Sequence, residues 1–108
     1  MRVHLIKWRS MENFITSHAR SKVSFEIFKE KLKHADWESA NDVQNTFGSA
    51  DIIRNNRIVF NIGGNNYRVI CSYWFGPRMI HLYLKWIGTH AEYTILCNKN
   101  LQYTIDEY

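Results

Sequence analysis

Near its C-terminus the chain reads Gly88-Thr89-His90-Ala91-Glu92-Tyr93, which sets an imidazole, a carboxylate and a phenol within four residues. Upstream, Tyr67-Arg68-Val69-Ile70 carries one guanidinium in an otherwise apolar run. Cleaving a phosphodiester without a metal needs a fixed cation for the developing charge, a group that takes a proton and one that returns it. Arg68, His90 and Tyr93 supply those three types. An imidazole exchanges protons near neutral pH, and an Arg fork grips a phosphate or pairs with a carboxylate. Each residue also has a structural reading: Arg68 in an ion pair, His90 as a hydrogen-bonded turn residue, Glu92 as an orienting group or a helix cap. The chemistry requires that all three share one groove.

Other polar residues fall in the same region of the sequence. Arg54 and Arg57 flank Asn55-Asn56 and read as exposed loop charges that can touch an RNA backbone. His4, His18, His34 and His81 lie in strand or helix segments and lack surroundings comparable to those of His90. No HxH, HExxH or DxD pattern occurs, so neither a metal nor an organic cofactor is expected. Gly63-Gly64 reads as a hairpin turn, not a phosphate loop. Cys71 and Cys97 form no CxxC pair and read as small apolar residues in a reducing compartment.

Lys and Arg number 14 against 10 Asp and Glu, a formal charge of +4. A small basic domain favours an anionic partner such as nucleic acid, a membrane surface or an acidic protein. The N-terminus lacks an apolar signal core, and no run approaches the ~20 residues of a membrane span. A cytoplasmic protein with no membrane partner is expected, and its 108 residues are the size of one domain, 1–108.

The elements that must hold these residues are legible as patterns. Val3 and Leu5 alternate with polar neighbours, as in a strand. Ser10 can cap a helix over 11–19, with Phe14 and Ile15 as its stripe. Phe25, Phe28 and Leu32 recur at helical spacing within 21–34, and charges cover the remaining positions. Ser39 and Asp42 have the spacing of a capping box that opens a short helix ended by Gly48, with Trp37 packed just before it. Strict alternation marks strands at 57–62, 67–74 and 79–87, with Trp86 in line with Ile80, Leu82 and Leu84. Two tight turns join these strands into an antiparallel meander. The stretch after Cys97 reads as an edge strand or a loose extension. The fold class is α+β, with helices on one face of the sheet and Arg68 and Lys85 on the other.

Three ordered blocks then resemble a known family: Ala35-Asp36-Trp37, Asn56-Arg57-Ile58-Val59-Phe60-Asn61-Ile62 with Gly64-Asn65-Asn66-Tyr67-Arg68-Val69, and Trp86-Ile87-Gly88-Thr89-His90-Ala91-Glu92-Tyr93. Together they are similar to HigB-type toxins of bacterial toxin–antitoxin systems, across roughly residues 35–95. The resemblance implies a RelE-like fold: an N-terminal strand and two to three helices packed on a curved antiparallel β-meander. It implies an endoribonuclease, an mRNA interferase, that cuts messenger RNA at the ribosome. It also implies a cognate helix-turn-helix antitoxin of the HigA type. By position in the family pattern, Arg68, His90 and Tyr93 become the catalytic candidates. On chemical grounds Arg57 and Lys85 can add positive charge, and Asn61 and Asn66 can hydrogen-bond sugar or base edges, as the RNA-binding ones. The lysines that some relatives carry on the preceding strand are absent here. The alternatives are a non-catalytic RNA- or DNA-binding domain and a toxin relative with another target.

Overall fold

Alternation and helical spacing arrange the chain about one sheet, and the computed structural model describes every residue from Met1 to Tyr108. Strand β1 (Arg2–Ile6) leads into α1 (Trp8–Ser17) and α2 (Lys22–His34), then the short α3 (Val43–Thr46). The strands β2 (Asp51–Ile53), β3 (Arg57–Ile62), β4 (Tyr67–Phe75) and β5 (Met79–Thr89) follow, and α4 (His90–Asn98) ends the regular structure. The sheet order is β1-β5-β4-β3-β2. The meander β3-β4-β5 is antiparallel as expected, whereas β1 joins the edge of β5 in parallel. The fold is the α+β, RelE-like architecture that the resemblance implies, built on a mixed sheet.

The helix stripe does what its spacing demands. Phe25, Phe28 and Leu32 are buried against the sheet, with Met11, Trp37 and Phe60, in a core of 17 buried residues. Trp37 reconciles burial with its polar edge by donating its indole N–H to Thr46 Oγ1 at 2.9 Å. Ser39 and Asp42 form the expected capping box. Helix α1 starts earlier than Ser10. The chain must reverse as soon as β1 leaves the edge of β5, and Lys7 makes that turn in the left-handed region at φ 71°.

One irregularity changes which residues face the ligand side. Ile70 pairs with Trp86 but Cys71 pairs with Leu84, so Lys85 is an extra residue in β5. A bulge of one residue flips every side chain beyond it. Trp86 therefore does not join Ile80, Leu82 and Leu84 in the main core, as alternation alone predicts. It packs with Val59, Ile70 and Leu96 in a second, four-residue core on the opposite face.

That opposite face carries the other two departures. Residues 90–98 form a helix that starts directly where β5 ends. Thr89 Oγ1 accepts a hydrogen bond from Glu92 N at 3.2 Å, and Glu92 Oε1 accepts one from Thr89 N at 2.8 Å. Glu92 is thus the helix cap of its two readings, not the orienting partner of His90. The tail beyond Cys97 is neither an edge strand nor loose. It crosses the face as a strap, fixed by Asn55 Nδ2 donating to Tyr103 O at 2.8 Å and by Glu107 N donating to Lys85 O at 2.9 Å.

Candidate functional site

The β3–β4 hairpin positions the first candidate. Gly63 and Gly64 turn the chain at φ 65° and 64°, where a side chain is strained. Arg68 follows, paired in register with Asn61 on one side and Gly88 on the other. Its guanidinium donates to Tyr67 O at 3.0 Å and to Asn65 Oδ1 at 2.5 Å. Both acceptors are neutral, so Arg68 does not sit in the structural ion pair that its sequence allowed. Its charge is fixed in place and not cancelled. Gly88 is needed beside it, because the Trp86 ring folds over the position where a Cβ would stand.

Helix α4 brings the other two candidates to the same end. The backbone N–H of His90 donates to Asn66 O at 2.9 Å, which ties the first residue of α4 to the hairpin that also anchors Arg68. The His90 side chain is exposed. One turn on, the Tyr93 ring lies 6.1 Å from Trp86, and the Arg68 guanidinium lies 5.9 Å from its centre. Burial pushes the Tyr93 phenol above its ordinary range, the Cys97 thiol and Asp51 add to this, and the Arg68 charge opposes it. The phenol is therefore neutral at physiological pH and suits proton donation better than proton removal.

The remaining cations are placed differently. Arg57 is not the exposed loop charge that its neighbours suggested; it is 5% exposed. Its guanidinium donates to Ile105 O at 2.7 Å and to Gln102 O at 3.4 Å, both on the strap. Burial lowers its affinity for the proton, and Asp106 nearby opposes that. Lys85, the bulge residue, reaches Asp106 Oδ2 at 3.3 Å. Arg54 covers the Tyr103 ring at 4.1 Å. Asn61 sits beside Arg68 and donates weakly to Ser49 O at 3.3 Å, and Asn66 stays exposed in the hairpin. The Arg68 guanidinium thus faces the Tyr93 ring, the backbone of His90 is tied to the hairpin while its side chain is exposed, and Arg57 and Lys85 lie under the strap.

Two contributors escaped the sequence reading, Asn65 and Trp86. The signal for Trp86 was the small Gly88 two residues on, which leaves room for a large ring. No three His, Cys, Asp or Glu side chains gather as a metal-binding group. No helix is long and apolar enough to cross a membrane.

The family model of HigB_toxin, the RelE-like toxic component of a toxin–antitoxin system, matches residues 21–96. The chain belongs to this family. It is therefore a toxin of a toxin–antitoxin system, and an antitoxin is its partner. The match runs from α2 into α4 and includes the hairpin, Arg68, His90 and Tyr93. Strand β1, α1 and the strap lie outside it. A comparison with curated proteins found no match.

Proposed function

We propose that this toxin is an endoribonuclease, a single domain over 1–108 that cleaves translated messenger RNA at the ribosome and so arrests growth. The supporting observation is the unneutralised Arg68 guanidinium held beside a neutral Tyr93 phenol at the hairpin pinned by His90. In this reading the 2′-hydroxyl of a ribose attacks the adjacent phosphorus. His90 takes the 2′-hydroxyl proton as the new O–P bond forms. The bond to the 5′-oxygen breaks, and Tyr93 supplies the proton that this leaving oxygen needs. The products are a 2′,3′-cyclic phosphate and a 5′-hydroxyl. Arg68 stabilises the extra negative charge on the phosphoryl oxygens, which fixed charge does well because it needs no reorganisation.

The supporting residues divide by position. Asn61 and Asn66 flank Arg68 and hydrogen-bond sugar or base edges of the strand. Arg57 contributes positive potential from beneath the strap, and Lys85 can reach the RNA backbone only by giving up its pair with Asp106. The step uses only side chains of this chain, without a metal or organic cofactor. The partner that silences the toxin is a helix-turn-helix antitoxin of the HigA type, and both act in the cytoplasm, where messages are translated.

The test is to induce the toxin in growing cells and map new message ends. Arrest with cleavage inside translated frames is expected, relieved by the co-expressed antitoxin and lost in Arg68→Ala. Arrest without message cleavage would move the reading to another target. Chelator added to a purified cleavage reaction, with magnesium supplied only as ribosomes require, is expected to leave cutting intact. Strict dependence on an added transition metal would contradict the metal-free step.

A further inference from the structure

The far end of the same sheet face carries a row of rings that the candidate site does not use. Trp74 pairs in register with His81 between β4 and β5, and His81 pairs with His4 between β5 and β1. These three residues face away from α1 and α2, because their strand neighbours Tyr73, Ile80, Leu82, Val3 and Leu5 turn to the main core. The Trp74 and His81 rings stack, with centroids 5.6 Å apart and planes at 22°. His4 meets His81 edge-on at 5.9 Å, and Tyr83 tilts against it at 6.4 Å. Gly76 leaves room for the pair, since a Cβ there would stand 3.1 Å from the Trp74 ring and 3.5 Å from His81 Nε2.

A sheet face usually covers such rings, yet Trp74 is 54% exposed and His4 is exposed. His81 Nδ1 is buried with no hydrogen-bond partner, so stacking holds this ring in place. Arg78, in the β4–β5 turn beside the row, is exposed and makes no ion pair. Exposed rings across adjacent strands, next to an unpaired cation, match the way sheet proteins hold single-stranded bases: each base offers a flat face to stack, and its phosphate needs a positive neighbour. Trp74 lies on the same face of β4 as Arg68, six residues along it, which is about 20 Å at the usual rise of a strand. The strap crosses the face between them.

We propose that the Trp74–His81–His4 row is a stacking platform for bases of single-stranded RNA, a second contact separate from the cleavage end. This rests on the reading of the toxin as acting on RNA and adds where a distant part of the strand is held.

The experiment uses the full chain and a labelled single-stranded RNA, 2′-O-methylated throughout so that it cannot be cut. Trp74 is exposed, so Trp74→Ala and Trp74→Phe are expected to melt with the parent. Trp74→Ala should weaken RNA binding about tenfold, while Trp74→Phe keeps most of the affinity. RNA should quench tryptophan fluorescence in the parent and much less in Trp74→Phe. Equal affinity of the parent and Trp74→Ala would overturn the proposal, as would a parent that binds no single-stranded RNA. A Trp74→Ala variant that loses antitoxin affinity alone would overturn it too and mark the row as a protein contact. Arg68→Ala separates the two readings: it should lose cleavage of unmethylated message and keep the quenching by the methylated RNA. Trp74-dependent binding by a parent that cuts no RNA would remove the nuclease reading and leave the platform standing.

Discussion

Arg68 and Arg57 stand on neighbouring strands and on the same face of one sheet, yet their guanidinium groups have different work. Arg57 lies beneath the C-terminal strap and spends its donors on the carbonyls of Gln102 and Ile105. Arg68 is held by one carbonyl and one side-chain amide at the hairpin, faces the Tyr93 ring and has no carboxylate partner. Burial is nearly equal, at 5% and 7% exposed. The difference is therefore not depth but what crosses above each residue. A strap of backbone acceptors turns one cation into a clamp, and the start of a helix leaves the other as a charge for use.

That contrast predicts unequal effects. The largest is expected at the open end. His90→Ala should slow message cleavage by ~10²–10⁴-fold, the usual contribution of a proton-transfer group. Its melting temperature should stay near that of the parent, because the ring is exposed and only the backbone N–H ties it to Asn66. Single-turnover cleavage beside a melting curve checks both. A variant that cuts at the parental rate would move the proton removal to another group.

For the scale of the frame itself, Leu32→Ala should cost about 2–5 kcal/mol by opening the main core, read from urea unfolding. Arg57→Ala is the next smaller effect. Removing the donor to two strap carbonyls should cost about 1–3 kcal/mol and loosen residues 101–107, seen as faster amide exchange there. Its cleavage rate should fall only with the folded fraction, with a small further loss from the weaker positive field. A large catalytic loss in well-folded Arg57→Ala would join the two cation regions into one site.

The smallest effect is a pH dependence at Tyr93. Burial raises its folded-state pKa, so the neutral phenol is favoured in the folded chain. The associated stability is complete below the ordinary phenol value of about 10 and is lost as pH rises beyond it. Tyr93→Phe should therefore lose less stability than the parent between neutral and strongly alkaline pH. Tyr108, also raised by burial, remains in both proteins and cancels in the comparison. Parallel pH curves would show that the phenol is not desolvated in the folded toxin.

The sequence made the frame legible where a single period decides burial. Phe25, Phe28 and Leu32 share one stripe, and the three meander strands alternate, because one buried face imposes one period. It misled where two structures compete for the same residues. Trp86 changed faces because the bulge at Lys85 is set by pairing with β4, which no local pattern records. The helix after Thr89 was readable in principle, since Thr89 and Glu92 have capping-box spacing. His90, Glu92 and Tyr93 also fit an acid–base set, and spacing alone does not choose between the two. Arg57 could not be placed from sequence, because its partners are backbone carbonyls nearly half the chain away.

The central claim is that only the Arg68 end performs the chemistry, and one paired measurement tests it most directly. Arg68→Ala and Arg57→Ala are compared for melting temperature and message cleavage on the same samples. Arg68→Ala is expected to lose ~10²–10³-fold in cleavage per folded molecule, as for a lost charge-stabilising donor, on top of the ~1–3 kcal/mol that removing a buried donor to two acceptors costs in stability. Arg57→Ala should also melt lower and cut nearly normally per folded molecule. A folded Arg68→Ala that cuts at the parental rate, or one whose loss is explained by unfolding alone, would contradict it.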